Sequence, residues 1–390
     1  MLRSLYSGIS GLRAHQTMLD TTGNNIANVN TAGFKSSSVQ FQDTLSQMTQ
    51  GATTPGANAG GRNPAQIGLG VQVAGISTNF GQGSAQNTGR SSDMMIAGDG
   101  FFITRNGGAT TLTRAGAFEF DALGRLTSPS GGIVQGRMAN NGVMPNGGAL
   151  TDISLPKDLV APGVGTTTAS LIGNLPKETA LGETIVQDKE IFTADSTSRT
   201  MSMTFTRTAG GWSVAANDGA GATGTANLTL AANGTLNGGT MNVGGVAVDL
   251  SKVTGYAGLK TVSISEQNGR SAGTLESYTL GSDGTLTGTF SNGAQQAIAQ
   301  IILGSVANPS GLQKAGGSSY TVTANSGGVD YAAPGSTGMG EIAGGMLEMS
   351  NVDLSQEFTN LIVAQRGFQA NARIITTSDE VLQELASLKR

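Results

Sequence analysis

Apolar residues at both ends of the chain recur at alternating intervals of three and four positions. The N-terminal stripe consists of Leu2, Leu5, Ile9, Leu12, Gln16, Leu19, Gly23 and Ile26. The C-terminal stripe follows a helix cap expected at Asn351 or Asp353 and consists of Leu354, Phe358, Leu361, Gln365, Phe368, Ala372, Ile375, Asp379 and Leu382. This spacing is typical of amphipathic helices that pack along one seam. Both ends are therefore predicted to be long helices.

The terminal helices are expected to depend on packing partners. In the N-terminal stripe region Gly8, Gly11 and Gly23 each cost about 1 kcal/mol against Ala in a helix interior, so this helix is marginal alone. The C-terminal helix has a second apolar seam that predicts more than one neighbour, at Ile374, Val381 and Leu388 with Leu385 beside them. The alternative is that both stripes pack on a globular core of the same chain.

The middle of the chain has a different period. From about Val71 to Leu303, apolar and polar residues alternate and turn dipeptides such as Asn233-Gly234 and Asp283-Gly284 interrupt the runs, which predicts β-structure. Met201, Met203 and Phe205 would share one face of a strand. Residues 209–248 contain one charged residue and ten glycines, so this segment is predicted to be a loosely packed β-domain or a partly flexible one.

These patterns predict a multidomain α+β protein, in which the long N- and C-terminal α-helices form a coiled-coil-like pair and β-rich middle domains are nested between them. Residues 1–75 and 346–390 would form the helical inner domain with its connecting linkers. Residues 76–150 and 277–345 would form a β-rich middle domain, and 151–276 a β-rich outer domain. The stretches 51–68 and 324–340, rich in Gly, Ala and Pro, are predicted linkers.

Composition argues against several classes of function. Charged residues are only 12% of the chain and the formal net charge is -4, which disfavours nucleic-acid binding. The chain contains no cysteine and a single histidine, His15, which we interpret as structural. Phosphate-binding, zinc-protease and serine-nucleophile motifs are absent. We therefore expect no enzyme activity, no cofactor and no metal. The N-terminus does not fit a secretory signal and no stretch is apolar enough to insert in a membrane, so any export would use another route.

The stretch "TTGNNIANVNTAGFK" places Asn24, Asn25, Asn28 and Asn30 where the first helix is expected to end. Asparagine tolerates left-handed backbone angles, and its amide can bond groups that a helix end leaves unpaired. Gly33 would supply a positive φ and Phe34 would anchor the turn. The alternative is an ordinary exposed helix cap and loop.

The same residues carry a family resemblance. "NNIANVNTAGFK" resembles the N-terminal signature of bacterial flagellar axial proteins of the rod and hook, and the segment from "LEMSNVDLSQEF" to "LASLKR" is similar to the end of hook proteins. "IAGDGFFI", "LTRAGAFEFDALGRLTSPSGGIVQG" and "YTLGSDGTLTGTFSNG" are similar to hook segments too. The resemblance covers roughly the first 140 and the last 115 residues, so the central region is unmatched.

The resemblance implies a structural subunit of the flagellar hook, a curved flexible tube that acts as a universal joint between rod and filament. It implies an extracellular location, export without a cleaved signal peptide, and terminal helices in the innermost layer of the tube. The implied partners are copies of the chain itself, the distal rod protein, the hook cap protein, the hook–filament junction protein and the flagellar type III export apparatus. Nucleic acid and membrane insertion are not implied.

The predicted assembly interface has two parts. The inner-wall seam would comprise Leu5, Ile9, Leu12, Leu19 and Ile26, facing Leu361, Gln365, Phe368, Ile375, Leu382 and neighbouring copies. The joint where the first helix turns outward would comprise Asn24, Asn25, Asn28, Asn30, Gly33 and Phe34. Gln16 and Gln365 would set register as polar seam residues. Two alternatives remain open: a distal rod protein, which shares the terminal signatures, and a secreted β-rich adhesin or glycan-binding protein.

Overall fold

The computed structural model describes residues 2–56, 60–145, 147–156 and 158–387. Three predicted features lie outside these described residues or side chains: the Leu2 side chain, Leu388 and positions 57–59 of the first linker.

Two long helices, one at each end of the chain, pack side by side. Helix α1 spans Leu2–Ala27 and helix α2 spans Leu354–Ser387. Gly11 lies beside Asn371, whereas Asn25 donates a 2.9 Å hydrogen bond to Glu357, so the helices run antiparallel. Of the two cap candidates, Asp353 caps α2, because its carboxylate accepts from the backbone N–H groups of the second and third residues after it at 2.9 and 3.2 Å.

A long β-ribbon follows α1. Its strands are β1 Ser37–Asp43, β2 Ser46–Gln50, β3 Ala65–Gly68 and β4 Val71–Thr78. Strand β1 pairs with β4 and β2 pairs with β3, both antiparallel. The base of the ribbon packs on α1, and strands β2 and β3 are exposed along their whole length. The last four residues of the first predicted linker are therefore strand, and Thr53 and Arg62 within it form an isolated bridge.

The remaining strands form the β-rich middle of the chain. The first group is β5 Ala85–Asn87, β6 Met94–Ala97, β7 Phe101–Asn106, β8 Ala109–Thr113, β9 Glu119–Phe120, β10 Leu126–Thr127, β11 Ile133–Met138, β12 Thr151–Asp152 and β13 Val160–Ala161. The second group is β14 Thr168–Asn174, β15 Thr184–Phe192, β16 Ser198–Thr208, β17 Gly211–Asn217, β18 Thr223–Leu230, β19 Leu236–Asn237, β20 Thr240–Val243, β21 Val246–Thr254 and β22 Ser263–Gln267. The third group is β23 Gly273–Leu280, β24 Thr285–Phe290, β25 Gln295–Ile301, β26 Leu303–Val306, β27 Gln313–Gly316, β28 Ser319–Thr321, β29 Val329–Ala332, β30 Glu341–Gly344 and β31 Met346–Glu348, with a 3₁₀ turn at Pro309–Gly311.

Strands β14 to β22 form the outer sandwich. One sheet has the order β20-β21-β14-β22 and the other runs β15-β16-β17-β18-β19. Their facing side chains make one core in which Met201, Met203 and Phe205 are fully buried, as the alternation predicted. The same core contains Trp212 and Val214. The interpretation of residues 209–248 as loose or flexible is therefore wrong: the glycines lie at turns and close crossings of a packed sandwich.

Strands before and after the sandwich form the body, a 14-stranded sheet that includes β7, β11, β23 and β25. Strand β12 pairs with β11, and β13 pairs with β23, although both lie inside the range predicted for the outer domain. We therefore propose that the outer unit begins and ends nearer to Thr168 and Gln267. Strand β29 lies within the second predicted linker and pairs with β26, so this part of the linker is ordered strand. Two terminal helices flanking a nested β-rich middle confirm the predicted fold class.

Candidate assembly surface

The contact between α1 and α2 is made by small residues. A Cβ at Gly11 would lie 2.7 Å from Oδ1 of Asn371, and a Cβ at Gly367 would lie 2.5 Å from the ring of His15. Such distances leave no space for a larger side chain without displacement of its neighbour. Gly8, Gly11, Ala364 and Glu357 are buried in this region. The helices therefore approach closely where the sequence is poorest in large side chains.

Most of the predicted seam residues lie at the edges of this contact. The half-buried members are Leu5, Ile9, Leu12, Leu19 and Ile26 of α1 and Leu361, Phe368 and Ile375 of α2. Gln365 is exposed and Leu382 is 38% exposed. Gln16 and Gly23 also face solvent, so they are not seam residues within one chain. Whether these positions meet other copies stays a prediction.

Helix α2 has a large apolar surface that no other part of the described chain covers. Between Leu354 and Ser387 only Glu357 and Ala364 are buried. The exposed apolar side chains, here called the open face of α2, are Phe358, Ile362, Val363, Ile374, Val381 and Leu385, each between 42% and 56% exposed. Around the helix, Val363, Ile374, Val381 and Leu385 lie within about 40° of one another, whereas Phe358 and Ile362 lie about 100° or more away on another side. Exposed apolar surface of this extent is typical of protein–protein contacts. The described residues of the predicted second seam, Ile374, Val381 and Leu385, are part of it.

The asparagine cluster divides into a buried and an exposed part. Asn25 is 1% exposed; its Nδ2 donates to Ser37 O at 2.8 Å and its Oδ1 accepts from Ser37 N at 3.0 Å. The same amide reaches Glu357, so it joins α1, β1 and α2. Asn28 is half-buried and bonds back to Asn24, whereas Asn24 and Asn30 are exposed. Helix α1 continues to Ala27, so two of the four asparagines lie inside it and not after it.

Gly33 and Phe34 form the turn that leads from α1 to the ribbon. Gly33 has φ +69°, as expected, and a Cβ there would lie 2.4 Å from the backbone nitrogen of Ala115. Its own N–H donates to Glu348 O at 2.7 Å. The ring of Phe34 is half-buried and lies 5.2 Å from the ammonium of Lys314. Glycine is therefore required both by backbone angle and by space.

Sequence reasoning missed two features of this region. The first is the close-contact role of Gly11 and Gly367; the Gly8-x-x-Gly11 spacing, which was interpreted only as a cost to the helix, was the available signal. The second is a buried charged group of Lys35, Arg114 and Glu348. More than 300 residues separate Lys35 from Glu348, and no local pattern indicates that they meet.

Paired terminal helices with exposed apolar side chains, attached to nested β units, favour the class of structural proteins that contact other protein chains. Comparison with known families narrows this class. Residues 5–35 match the family "Flagella basal body rod protein", 95–168 match "Flagellar hook protein FlgE/F/G D1 domain", and 343–388 match "Flagellar basal body rod FlgEFG protein C-terminal".

Full-length relatives agree with these matches. The chain is 37% identical to the flagellar hook protein FlgE of Borreliella burgdorferi and 35% identical to that of Treponema pallidum, over 100% of both chains in each case. It is 34% identical to the flagellar basal-body rod protein FlgG of Bacillus subtilis, again over 100% of both. The Helicobacter pylori hook protein FlgE2 aligns with TM-score 0.44 and 14% identity, over 68% of this chain and 100% of that one. The chain belongs to the flagellar hook and rod protein family.

Proposed function

We propose that this structural subunit of the flagellar hook polymerises into a curved, flexible tube that transmits torque from rod to filament as a universal joint. The observation that supports this most directly is the open face of α2, together with full-length similarity to hook proteins of 30–37% identity. The helix pair would form the inner wall, and the body and outer sandwich would lie outside it. The predicted seam and joint residues would then be inner-wall contacts.

Copies of the chain are the partner that fits the open face of α2. Complete burial of a Val or Ile side chain contributes about 1.5–3 kcal/mol, so burying the exposed half of each gains roughly 1 kcal/mol. One such gain is small against the entropy lost on association. In a tube, however, every copy has several neighbours, which can cover the exposed side chains on both sides of α2 at once. Val381 and Leu385, near the end of α2, would lie in this contact.

The outer sandwich offers a different kind of surface. Across one sheet face, Ser202 of β16 stands beside Asn217 of β17, which stands beside Thr223 of β18. The next row along the strands pairs Thr204 with Ala215 and Ala215 with Thr225. Apart from Asp188, which accepts a hydrogen bond from Ser202, these groups are short and neutral, and such hydroxyl and amide groups form shallow contacts that exchange partners readily. A bent tube that spins about its own curved axis requires such contacts, because each row of subunits shortens and lengthens once per turn.

The remaining assignments rest on the family resemblance. The tube would stand outside the cell between the distal rod protein and the hook–filament junction protein, and would grow under the hook cap protein. Subunits would reach the tip through the flagellar type III export apparatus without a cleaved signal peptide. Neither α1 nor α2, as far as residues 2–387 are described, has the length and apolarity needed to cross a lipid bilayer.

A distal rod protein is the second candidate, because the identity to the rod protein FlgG of Bacillus subtilis is 34% over both full lengths. The two candidates differ in the shape of the polymer. Rod subunits would make a straight, stiff shaft, whereas hook subunits would make a curved tube. The adhesin alternative has no comparable support, since the matched relatives are hook and rod proteins.

Electron microscopy of the purified chain, assembled alone and on detached basal bodies, tests the proposal. Curved tubes would support the hook, and straight tubes would support the rod. If the purified chain formed no tube at any protein concentration, self-assembly would be contradicted. Glycan-array binding without polymer would favour the adhesin.

A further inference from the structure

Three chain segments cross between the helix pair and the body. One leaves α1 at residues 33–36, one connects β4 to β5 at residues 79–84, and one enters α2 at residues 348–353. Backbone bonds join them: Gly33 N donates to Glu348 O at 2.7 Å, and Asn79 N donates to Ser36 O at 2.8 Å. Any change in the angle between the helix pair and the body must deform these three segments together.

A single buried carboxylate lies at their centre. Glu348 Oε1 is 2.6 Å from the ammonium of Lys35, and both side chains are completely buried. The same oxygen accepts from Gly83 N at 2.9 Å, and the ammonium also donates to Gly81 O at 2.8 Å. One ion pair therefore bonds all three crossing segments.

The body adds a second cation. Arg114, which directly follows β8, is 3% exposed, and its Nη1 lies 3.5 Å from Glu348 Oε2. Its guanidinium lies 5.3 Å from the ring centroid of Phe101. Lys35 therefore holds the carboxylate from the helix side by a hydrogen bond, whereas Arg114 faces it from the body side as a nearby charge, since neither Arg114 Nη1 nor Glu348 Oε2 has a hydrogen-bond partner among the described residues.

The side-chain amide of Asn351 makes further hydrogen bonds across the same three segments. Asn351 Nδ2 donates to Asn79 O at 2.8 Å and to Gly81 O at 3.0 Å. Its Oδ1 accepts from Ser36 N at 2.8 Å. Asn351, proposed from the sequence as a helix cap, therefore joins all three segments instead.

These charges are not an efficient source of stability. Burial lowers the pKa of Lys35 and of Arg114, which shows that the charged forms are costly to bury, while the bonds to Glu348 act in the opposite direction. Replacing a buried ion pair by apolar residues of similar size is often neutral or stabilising. What directional polar contacts add is a preferred geometry.

We propose that Lys35, Arg114, Glu348 and Asn351 form a polar clasp that fixes the angle between the helix pair and the body. This inference deepens the proposed function and rests on it. Because the angle at this joint is fixed, torque on the helix pair would turn the body by the same amount. Bending would then be accommodated between copies and farther out. The connector to the outer sandwich is built differently, with backbone bonds between Val164 and Arg270 and the amide of Asn268, and no ion pair among its described residues.

Pairs of spin labels can measure the angle, because the natural chain has no cysteine. Labels at Gln369→Cys on α2 and Thr110→Cys on β8, both at exposed positions, span the clasp. Labelled chains diluted into unlabelled wild-type tubes give a distance distribution within single subunits. We expect a narrow distribution in wild type. A broad distribution in otherwise intact tubes would overturn the clasp and leave the proposed function standing. Absence of tubes would contradict the proposed function and, with it, the role of the clasp in torque transmission.

Variants of the clasp and a matched control separate geometry from stability. Glu348→Gln should widen the distance distribution at least two-fold, and the matched control Glu119→Gln, in an exposed ion pair with Arg90, should not. The apolar triple variant Lys35→Met, Arg114→Leu, Glu348→Leu should keep the body folded by circular dichroism and still show the wider distribution. A triple variant with wild-type width would show that packing sets the angle and would overturn the proposal. If Glu348→Gln does not fold, Lys35→Met gives the same readout and is judged by the same criterion.

Discussion

The outer sandwich and the helix pair differ in how far they bury their apolar side chains. In the sandwich, large side chains such as Phe205 and Trp212 are at most 1% exposed and belong to one continuous core. In α2, only Glu357 and Ala364 are buried, and Phe358 is 52% exposed. The sandwich has the buried area that an independent domain needs, whereas the helix pair exposes the side chains that would form its core.

The difference indicates where each region obtains its stability. A domain that buries its apolar residues within one chain folds before assembly. We expect a helix pair with exposed apolar side chains to gain most of its order when other copies cover it. We therefore expect the isolated chain to have a protected β-rich middle and weakly protected ends, as measured by amide hydrogen exchange.

The largest effect is expected from a core truncation in the sandwich. Phe205→Ala removes a fully buried ring and should destabilise the outer unit by about 3–5 kcal/mol in denaturant unfolding of the isolated chain. The matched control is Phe358→Ala, whose ring is 52% exposed and should leave monomer stability within about 0.5 kcal/mol. Equal losses in both variants would contradict the contrast between the regions.

Polymerisation should show the reverse sensitivity. Val381→Asp places a charge on the open face of α2 and should raise the critical concentration for tube formation roughly 100-fold, or about 3 kcal/mol, because a charge would have to be buried between copies. The control is Val322→Asp, directly after β28 of the body, since Val322 is 40% exposed and Val381 is 42% exposed. Light scattering and electron microscopy measure both. Unimpaired assembly of Val381→Asp would show that this face is not an interface.

The features that could be predicted from the sequence are those set by residues close together along the chain. The three-and-four spacing gave both helices, and the alternation of Met201, Met203 and Phe205 gave a buried strand face. It did not predict which side of α1 meets α2, because the large residues suggested a leucine seam, whereas the observed contact uses Gly11 and Gly367. Close approach of two backbones depends on the partner helix, which a single stripe does not specify.

The polar clasp was invisible for a similar reason. Lys35, Arg114 and Glu348 are isolated in the sequence and are brought together only by the fold. Buried ion pairs between distant segments follow no period, so neither hydrophobic patterning nor turn chemistry indicates them. Asn25 was within reach of prediction because its surroundings already suggested a helix end, although the helix includes it.

A moderate effect is expected at the joint between the two regions. Gly33→Ala combines a positive φ with a Cβ 2.4 Å from the Ala115 backbone and should destabilise the joint by about 2 kcal/mol or more. Gly107→Ala is the control, because its φ is +57° but nothing lies within 4 Å of the added Cβ. The difference in destabilisation between Gly33→Ala and Gly107→Ala measures the cost of the steric clash. Limited proteolysis near residues 28–36 and denaturant unfolding provide the readout, and identical losses would refute a close crossing at Gly33.

The smallest effect is the most specific to the marginal helix pair. Gly23 lies inside α1 with nothing within 4 Å of an added Cβ, so Gly23→Ala should stabilise the helix by about 1 kcal/mol and increase the helical circular dichroism of the isolated chain. Gly11→Ala has the same intrinsic gain, but its Cβ would lie 2.7 Å from Asn371 Oδ1, so packing should cancel or reverse the benefit. If both variants gain helix equally, the two helices are apart in the isolated chain, and their close contact forms only on assembly. If Gly23→Ala gains and Gly11→Ala does not, the pair is already formed before copies meet.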